Sequence, residues 1–186
     1  MGAVQLTALP APASVPLERP ARVGWDEFET LVRRHHQDLR RFAHRLLADA
    51  HHTEDVLQES YLKAYRAFTK RNGRGEAAEA AWLFRIVYRS CLDELRRQRR
   101  KPVRALHEVP ADAHARAGHE RRVLQRAALA QALAGLSPQA RATVLLVDGQ
   151  GFDYAEAAEI LRVPRGTIAS RLNRARAELR RVLEEA

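Results

Sequence analysis

Cysteine and lysine are scarce in this chain of 186 residues, which holds one cysteine, Cys91, and three lysines. The lone cysteine excludes an internal disulfide framework and any cysteine-based zinc finger. No apolar run approaches the ~20 residues needed to cross a bilayer, so membrane insertion is not expected. The first 24 residues lack a basic start, and Pro10, Pro12, Pro16 and Pro20 interrupt their apolar stretch. They make a poor secretory signal, and a cytoplasmic protein is the expectation. Strand-like alternation, hairpin signatures and βαβ order are missing as well. So are phosphate-cradling glycine loops, nucleophile elbows and acid–base pairs, so neither an enzyme nor a cofactor is expected. The histidines His35, His36, His44, His51 and His52 lie near Glu54 and Asp55, but without HExxH or paired cysteines they do not make a metal site.

Charge is abundant, at 30% of residues, and apolar residues reach 46%. Such a chain folds around real cores. Its formal net charge is +9 and its pI is near 10.7. That balance suits a polyanion, with nucleic acid first and an anionic membrane surface second. Of the 32 basic residues 29 are arginine, the better forked donor to phosphate and guanine.

Two helical blocks follow the proline-rich start. In the first, Phe28, Leu31, Val32, His35, Leu39, Phe42, Leu46 and Leu47 form a stripe at three- and four-residue spacing. Thr53 before Glu54 and Asp55 reads as the N-cap of a second helix, which buries Leu57, Tyr61, Ala64 and Phe68. Asn72–Gly75 reads as a loop. A third helix then turns Leu83, Ile86, Val87, Cys91 and Leu95 inward. Pro102, Pro110 and Gly118 weaken the pattern from Lys101 to Arg126. These 26 residues read as a tether that reaches roughly 85 Å when extended at ~3.3 Å each.

The last block has four helices. Ser137-Pro138 is an N-cap with proline at the first helical position. Gly149 and Gly151 end that helix, Asp153 with Glu156 starts the next in the manner of a capping box, and Pro164 opens the last. Two short helices around a tight turn, the second strongly basic, suit helix-turn-helix DNA binding. From Pro164 to Arg181 six arginines face Glu178 alone, a balance of +5. Ile168, Leu172, Ala175 and Leu179 occupy one stripe, leaving Thr167, Ser170, Asn173 and Arg174 on the opposite side near the helix start. From Trp82 to Arg104 eight basic residues face Asp93 and Glu94, a balance of +6, with Trp82, Phe84 and Tyr88 interleaved. Arginines that track a backbone beside aromatic faces suit unpaired bases. The same residues fit equally a core Trp and Phe beneath a solvated basic face.

Three stretches in order, DVLQESYLKAY, WLFRIVYRSCLDELRR and DYAEAAEILRVPRGTIASRLNRARAELRR, resemble an extracytoplasmic-function sigma factor of the sigma-70 family. The resemblance implies an all-α chain of two small helical domains joined by a flexible linker, the C-terminal one a helix-turn-helix domain. It makes 25–100 sigma domain 2 and 127–186 sigma domain 4, and leaves unmatched residues 1–24, which their prolines make a disordered Pro/Ala-rich arm, and the linker 101–126. It implies three partners: core RNA polymerase, promoter DNA and an anti-sigma factor. Core polymerase is expected on Asp55, Gln58, Glu59, Leu62 and Arg66. The minus-ten element is expected to be melted and read by Trp82, Arg85, Tyr88, Arg89, Arg96 and Arg97. The minus-thirty-five element falls to Arg165, Thr167, Ser170, Arg171, Asn173 and Arg174. The chain departs from the family pattern at Glu79, Tyr88, Arg89 and Ala169, which alters the expected base contacts there. Two rival readings of the residues are an autonomous helix-turn-helix regulator acting without polymerase and an RNA-binding or anti-termination protein using Arg85–Arg104.

Overall fold

A computed structural model describes residues 22–68, 76–100 and 117–184. The loop expected at Asn72–Gly75, most of the N-terminal arm and residues 101–116 of the expected linker lie outside the described residues. Seven α-helices make up the described chain: α1 (Arg22–Leu47), α2 (Ala50–Phe68), α3 (Glu76–Arg100), α4 (Ala117–Gly135), α5 (Pro138–Val144), α6 (Tyr154–Leu161) and α7 (Arg165–Glu184). A π-helical turn, Leu145–Gly149, extends α5.

Helices α1–α3 pack on one another as one module, while α4–α6 support α7 in the second. In the first, the expected stripe is the core: Phe28, Leu31, Leu39, Phe42, Leu46 and Leu47 are buried. Aromatic rings tie its helices together. Phe28 lies 5.4 Å from both Tyr65 and Phe68, and Phe68 lies 6.2 Å from Trp82. Cys91 is fully buried in α3, and burial pushes its thiol pKa up, so it is a small core residue.

Three boundaries differ from expectation. Thr53 is not the N-cap of α2. The helix starts a turn earlier because Asp49 Oδ1 accepts from the His52 backbone N–H at 2.8 Å, and Thr53 is buried, its hydroxyl donating to the Asp49 carbonyl at 2.5 Å. Ala48, in the left-handed region at φ +56°, separates α1 from that cap. At the N-terminus α1 takes in Arg22–Gly24, the end of the expected arm. Similarly α4 begins at Ala117, within the expected linker, and runs through Gly118.

The second module follows its capping signals closely. Ser137 Oγ accepts from the Ala140 N–H at 3.3 Å, with Pro138 at the first helical position. Asp153 Oδ1 accepts from the Ala155 and Glu156 N–H groups at 2.7 and 2.9 Å, and Glu156 Oε2 returns the bond to the Asp153 N–H at 2.9 Å. These reciprocal bonds satisfy the orphan donors at the start of α6. Arg162, left-handed at φ +54°, ends α6 and lets the Val163 N–H reach the Ala158 carbonyl at 3.1 Å. Pro164 then turns the chain into α7.

Gly151 sits at φ +78° in the turn before α6, with open space where a Cβ would point. Gly151→Ala is expected to cost about 1–2 kcal/mol, the backbone penalty alone. Equilibrium denaturant unfolding measures it; an unchanged midpoint contradicts the assignment.

Candidate nucleic-acid interface

The apolar stripe of α7 sets its orientation. Ile168, Leu172, Ala175 and Leu179 are all buried, at spacings of four, three and four, which is one face of an α-helix. The opposite face carries the expected readers. Arg165, Asn173 and Arg174 are exposed, and Thr167, Ser170 and Arg171 are half-buried at its edge. The Ser170 hydroxyl donates within the helix, to the Thr167 carbonyl at 3.1 Å.

Arg176 has a different duty. Its Nε donates to Asp148 Oδ2 at 3.0 Å while Nη2 bonds Asp148 Oδ1. This fork holds α7 against the π turn after α5, and hydrogen bonding to Asp148 raises the guanidinium pKa. Arg176 therefore orients the basic helix instead of adding to its free cations. Charge counting does not separate the two roles, because the partner lies 28 residues upstream.

On α3 the expected strand-reading residues fall into two groups. Trp82 and Tyr88 are buried, Arg85 is half-buried, and Arg89, Arg96 and Arg97 are exposed. Arg97 is turned toward the buried Glu94, with Nε donating to Oε2 at 2.7 Å. His52 Nε2 approaches the other carboxylate oxygen at 3.4 Å, and Gln98 Nε2 donates to it at 3.1 Å. Arg96 pairs with Asp93 at 3.1 Å, both side chains largely in solvent, an arrangement that exchanges readily for a phosphate. The six residues thus share one helix, with the cations at its solvent edge and the two aromatics beneath.

The face of α2 is simpler. Asp55, Gln58, Glu59, Leu62 and Arg66 are all exposed and recur at three- and four-residue spacing. Leu62 is 60% exposed, a large apolar side chain flanked by charges. Glu59 pairs with Lys63 at 2.8 Å, and Lys63 Nζ also reaches Ser90 Oγ at 3.3 Å, linking this face to α3.

Sequence reasoning missed Arg141. It stands in line with Val144 and Leu145 on the buried side of α5 and is only 8% exposed. Its Nη2 donates to the Ala134 and Leu136 carbonyls at 2.6 and 3.2 Å, and its Nη1 crosses to the Leu46 carbonyl of α1 at 3.0 Å. Burial lowers its pKa. The available signal was an arginine in register with an apolar stripe.

Comparison with known proteins agrees with this architecture. The family model for Sigma-70 region 2 matches residues 31–101, and that for Sigma-70 region 4 matches residues 126–179. The chain is 39% identical over 156 residues to the ECF RNA polymerase sigma factor SigM of Mycobacterium tuberculosis, covering 84% of this chain and 76% of that one. It is 36% identical over 169 residues to the ECF RNA polymerase sigma factor SigE of Mycolicibacterium smegmatis, covering 88% and 63%. Among solved structures, the sigma factor RpoE in complex with the anti-sigma factor NepR from Bartonella quintana superposes with a TM-score of 0.68 at 27% identity, over 86% of this chain and 98% of that one. CnrH in complex with the cytosolic domain of CnrY shares the fold, with a TM-score of 0.64 at 24% identity over 89% and 94%.

Two helical modules in this order, the second a helix-turn-helix, define a promoter-recognition protein. The chain belongs to the sigma-70 family as an extracytoplasmic-function RNA polymerase sigma factor. It directs transcription initiation, and nothing in these likenesses favours an autonomous regulator.

Arg174→Ala is expected to weaken recognition of an upstream promoter element by about 1–3 kcal/mol, the worth of a bidentate base contact. Gel-shift titration across single-base promoter variants measures it. An unchanged preference among variants removes Arg174 from the reading set.

Proposed function

We propose that the two modules read two promoter boxes in different states of the DNA. In this reading α7 enters the major groove of the minus-thirty-five duplex, with Arg165, Asn173 and Arg174 reaching base edges or phosphates and Thr167, Ser170 and Arg171 at the border of the contact. The capping box of α6 and the Arg176–Asp148 fork hold that helix at a fixed angle. The basic edge of α3, through Arg85, Arg89, Arg96 and Arg97, tracks the minus-ten strand, and Trp82 and Tyr88, buried in this structure, offer aromatic faces to unstacked bases only once uncovered. Melting costs of order 1.4 kcal/mol per base-pair step, and captured bases offset it.

The observation that carries the reading is the pairing of an exposed, arginine-rich helix-turn-helix face with a second basic helix in a chain that matches sigma regions 2 and 4. Core polymerase is assigned to the exposed α2 face around Leu62, where an apolar centre ringed by Asp55, Gln58, Glu59 and Arg66 has the anatomy of a protein interface. An anti-sigma partner is supported by the RpoE neighbour, solved with one. The site of action is the cytoplasm, where promoter and polymerase meet; among the described residues no helix is long and apolar enough to cross a membrane.

Run-off transcription with core polymerase tests the reading: specific initiation is expected only when both are present, and specific duplex binding with no stimulated initiation contradicts it. For the polymerase face, Asp55→Arg with Glu59→Arg is expected to abolish co-purification with core while leaving the helical content unchanged. Normal association by the double variant rejects that face.

A further inference from the structure

The modules meet along α3 and α6. Phe84 of α3 stacks edge-on against Phe152, just ahead of α6, with ring centroids 5.0 Å apart. The two helices also leave between them a cleft of about 410 Å³, within the ~300–1,000 Å³ of small-ligand sites. Arg89, Leu92 and Arg96 line it from α3, and Leu161 and Arg162 line it from the end of α6.

This cleft is basic. Asp93 is the one carboxylate on its wall, and Arg96 already pairs with it at 3.1 Å. Arg89 and Arg162 are exposed, and among the described residues neither has an ion-pair partner. Another guanidinium stands close by. Burial raises the pKa of the Tyr88 phenol, which also lines the cleft, and the charges of Arg171 on α7 and of Arg96 oppose that rise, as only nearby charges do. Guanidinium groups brought together from two modules repel one another, and an anion between them turns the repulsion into attraction.

Arg162 is the residue that the DNA-reading assignments leave without a role. It ends α6 in the left-handed region, at φ +54°, where glycine is the favoured residue. The bond that this turn makes, from the Val163 N–H to the Ala158 carbonyl, is between backbone groups, so it does not call for an arginine. A cation there also meets the negative end of the α6 dipole, but that effect does not require the side chain to line a cleft shared with Arg89 and Arg96.

We propose that this cleft binds a chain of linked phosphates, inorganic or carried by a nucleoside, held between Arg89 and Arg96 of α3 and Arg162 of the helix-turn-helix module. Arg89 and Arg96 lie seven residues apart on one helix, about 10 Å along its axis. A lone phosphate is too short to engage both ends of that span, whereas two or three linked phosphates follow it, each taking forked bonds from a guanidinium. Leu92 and Leu161 add apolar wall, against which the base of a nucleoside rests. The site stands independently of the promoter assignment. Its consequence rests on that reading: an occupied cleft withholds Arg89 and Arg96 from the minus-ten strand, so polyphosphate and promoter compete.

Isothermal titration of the full-length protein with inorganic tripolyphosphate, ATP and GTP at physiological ionic strength tests the site. Saturable binding of at least one of them is expected. Arg162→Gly keeps the left-handed turn and removes one guanidinium, and it is expected to weaken binding about ten-fold or more, the worth of one charge-assisted hydrogen bond. Should that variant lose helical content, Arg162→Asn serves, since asparagine also tolerates the backbone. Arg180→Ala removes the same charge from an exposed position of α7 outside the cleft and is expected to leave the affinity within about two-fold. Tighter binding of ATP or GTP than of tripolyphosphate assigns the cleft to nucleotides, and equal or weaker binding assigns it to the inorganic chain. Absence of saturable binding, or equal losses in Arg162→Gly and Arg180→Ala, overturns the site, because diffuse charge then accounts for the affinity. Failure of the unaltered protein to initiate with core polymerase strikes at the sigma reading instead and leaves the cleft standing.

Discussion

One guanidinium joins the carbonyl ends of two helices that belong to different modules. Arg141 bonds Ala134 and Leu136 at the end of α4 and Leu46 near the end of α1. The last carbonyls of a helix have no partner within it and carry the negative end of its dipole, so a cation is the group best suited to close them. A buried cation is costly unless its surroundings supply such acceptors. The position of α5 against α1 follows from this contact, and α6 and α7 follow from α5. Where the basic helix lies relative to α3 is therefore decided partly by a buried arginine.

The arginines of this chain divide by partner. Arg141 and Arg176 are committed to carbonyls and to Asp148, so they fix helices in place. Arg97 is held by the buried Glu94. Arg89, Arg165 and Arg174 are exposed on the two basic helices, where the proposed reading sets a phosphate or a base edge. Net charge alone ranks all of these equally. Burial and hydrogen bonding distinguish them, and a sigma factor depends on the difference because the helix angle must be set before a base edge is in reach.

Much of this was legible in the sequence because it is local. The stripe Ile168, Leu172, Ala175 and Leu179, the Ser137-Pro138 start and the Asp153–Glu156 box each sit within a turn or three of their partners, so periodicity and capping rules find them. The start of α2 was misread at Thr53 because Asp49, four residues earlier, offers the same capping chemistry and wins by leaving Thr53 to be buried. The early start of α4 ran against Gly118, whose helix penalty of about 1 kcal/mol a long helix absorbs. The Arg141 bond to Leu46 spans 95 residues and the Phe84–Phe152 stack joins separate modules. No spacing rule predicts such pairs, since they arise only once both modules exist.

On the proposed reading of two promoter boxes, modules that pack together in the free chain stand farther apart on the promoter, and the distance between them reports this directly. Pulsed electron paramagnetic resonance between spin labels on the exposed positions Arg45 in α1 and Glu178 in α7, with Cys91 left buried, measures it in the free chain and in the promoter-bound holoenzyme. A single short distance in the free chain, lengthening by tens of ångströms on the promoter, is the predicted result. The same distance in both states contradicts the account.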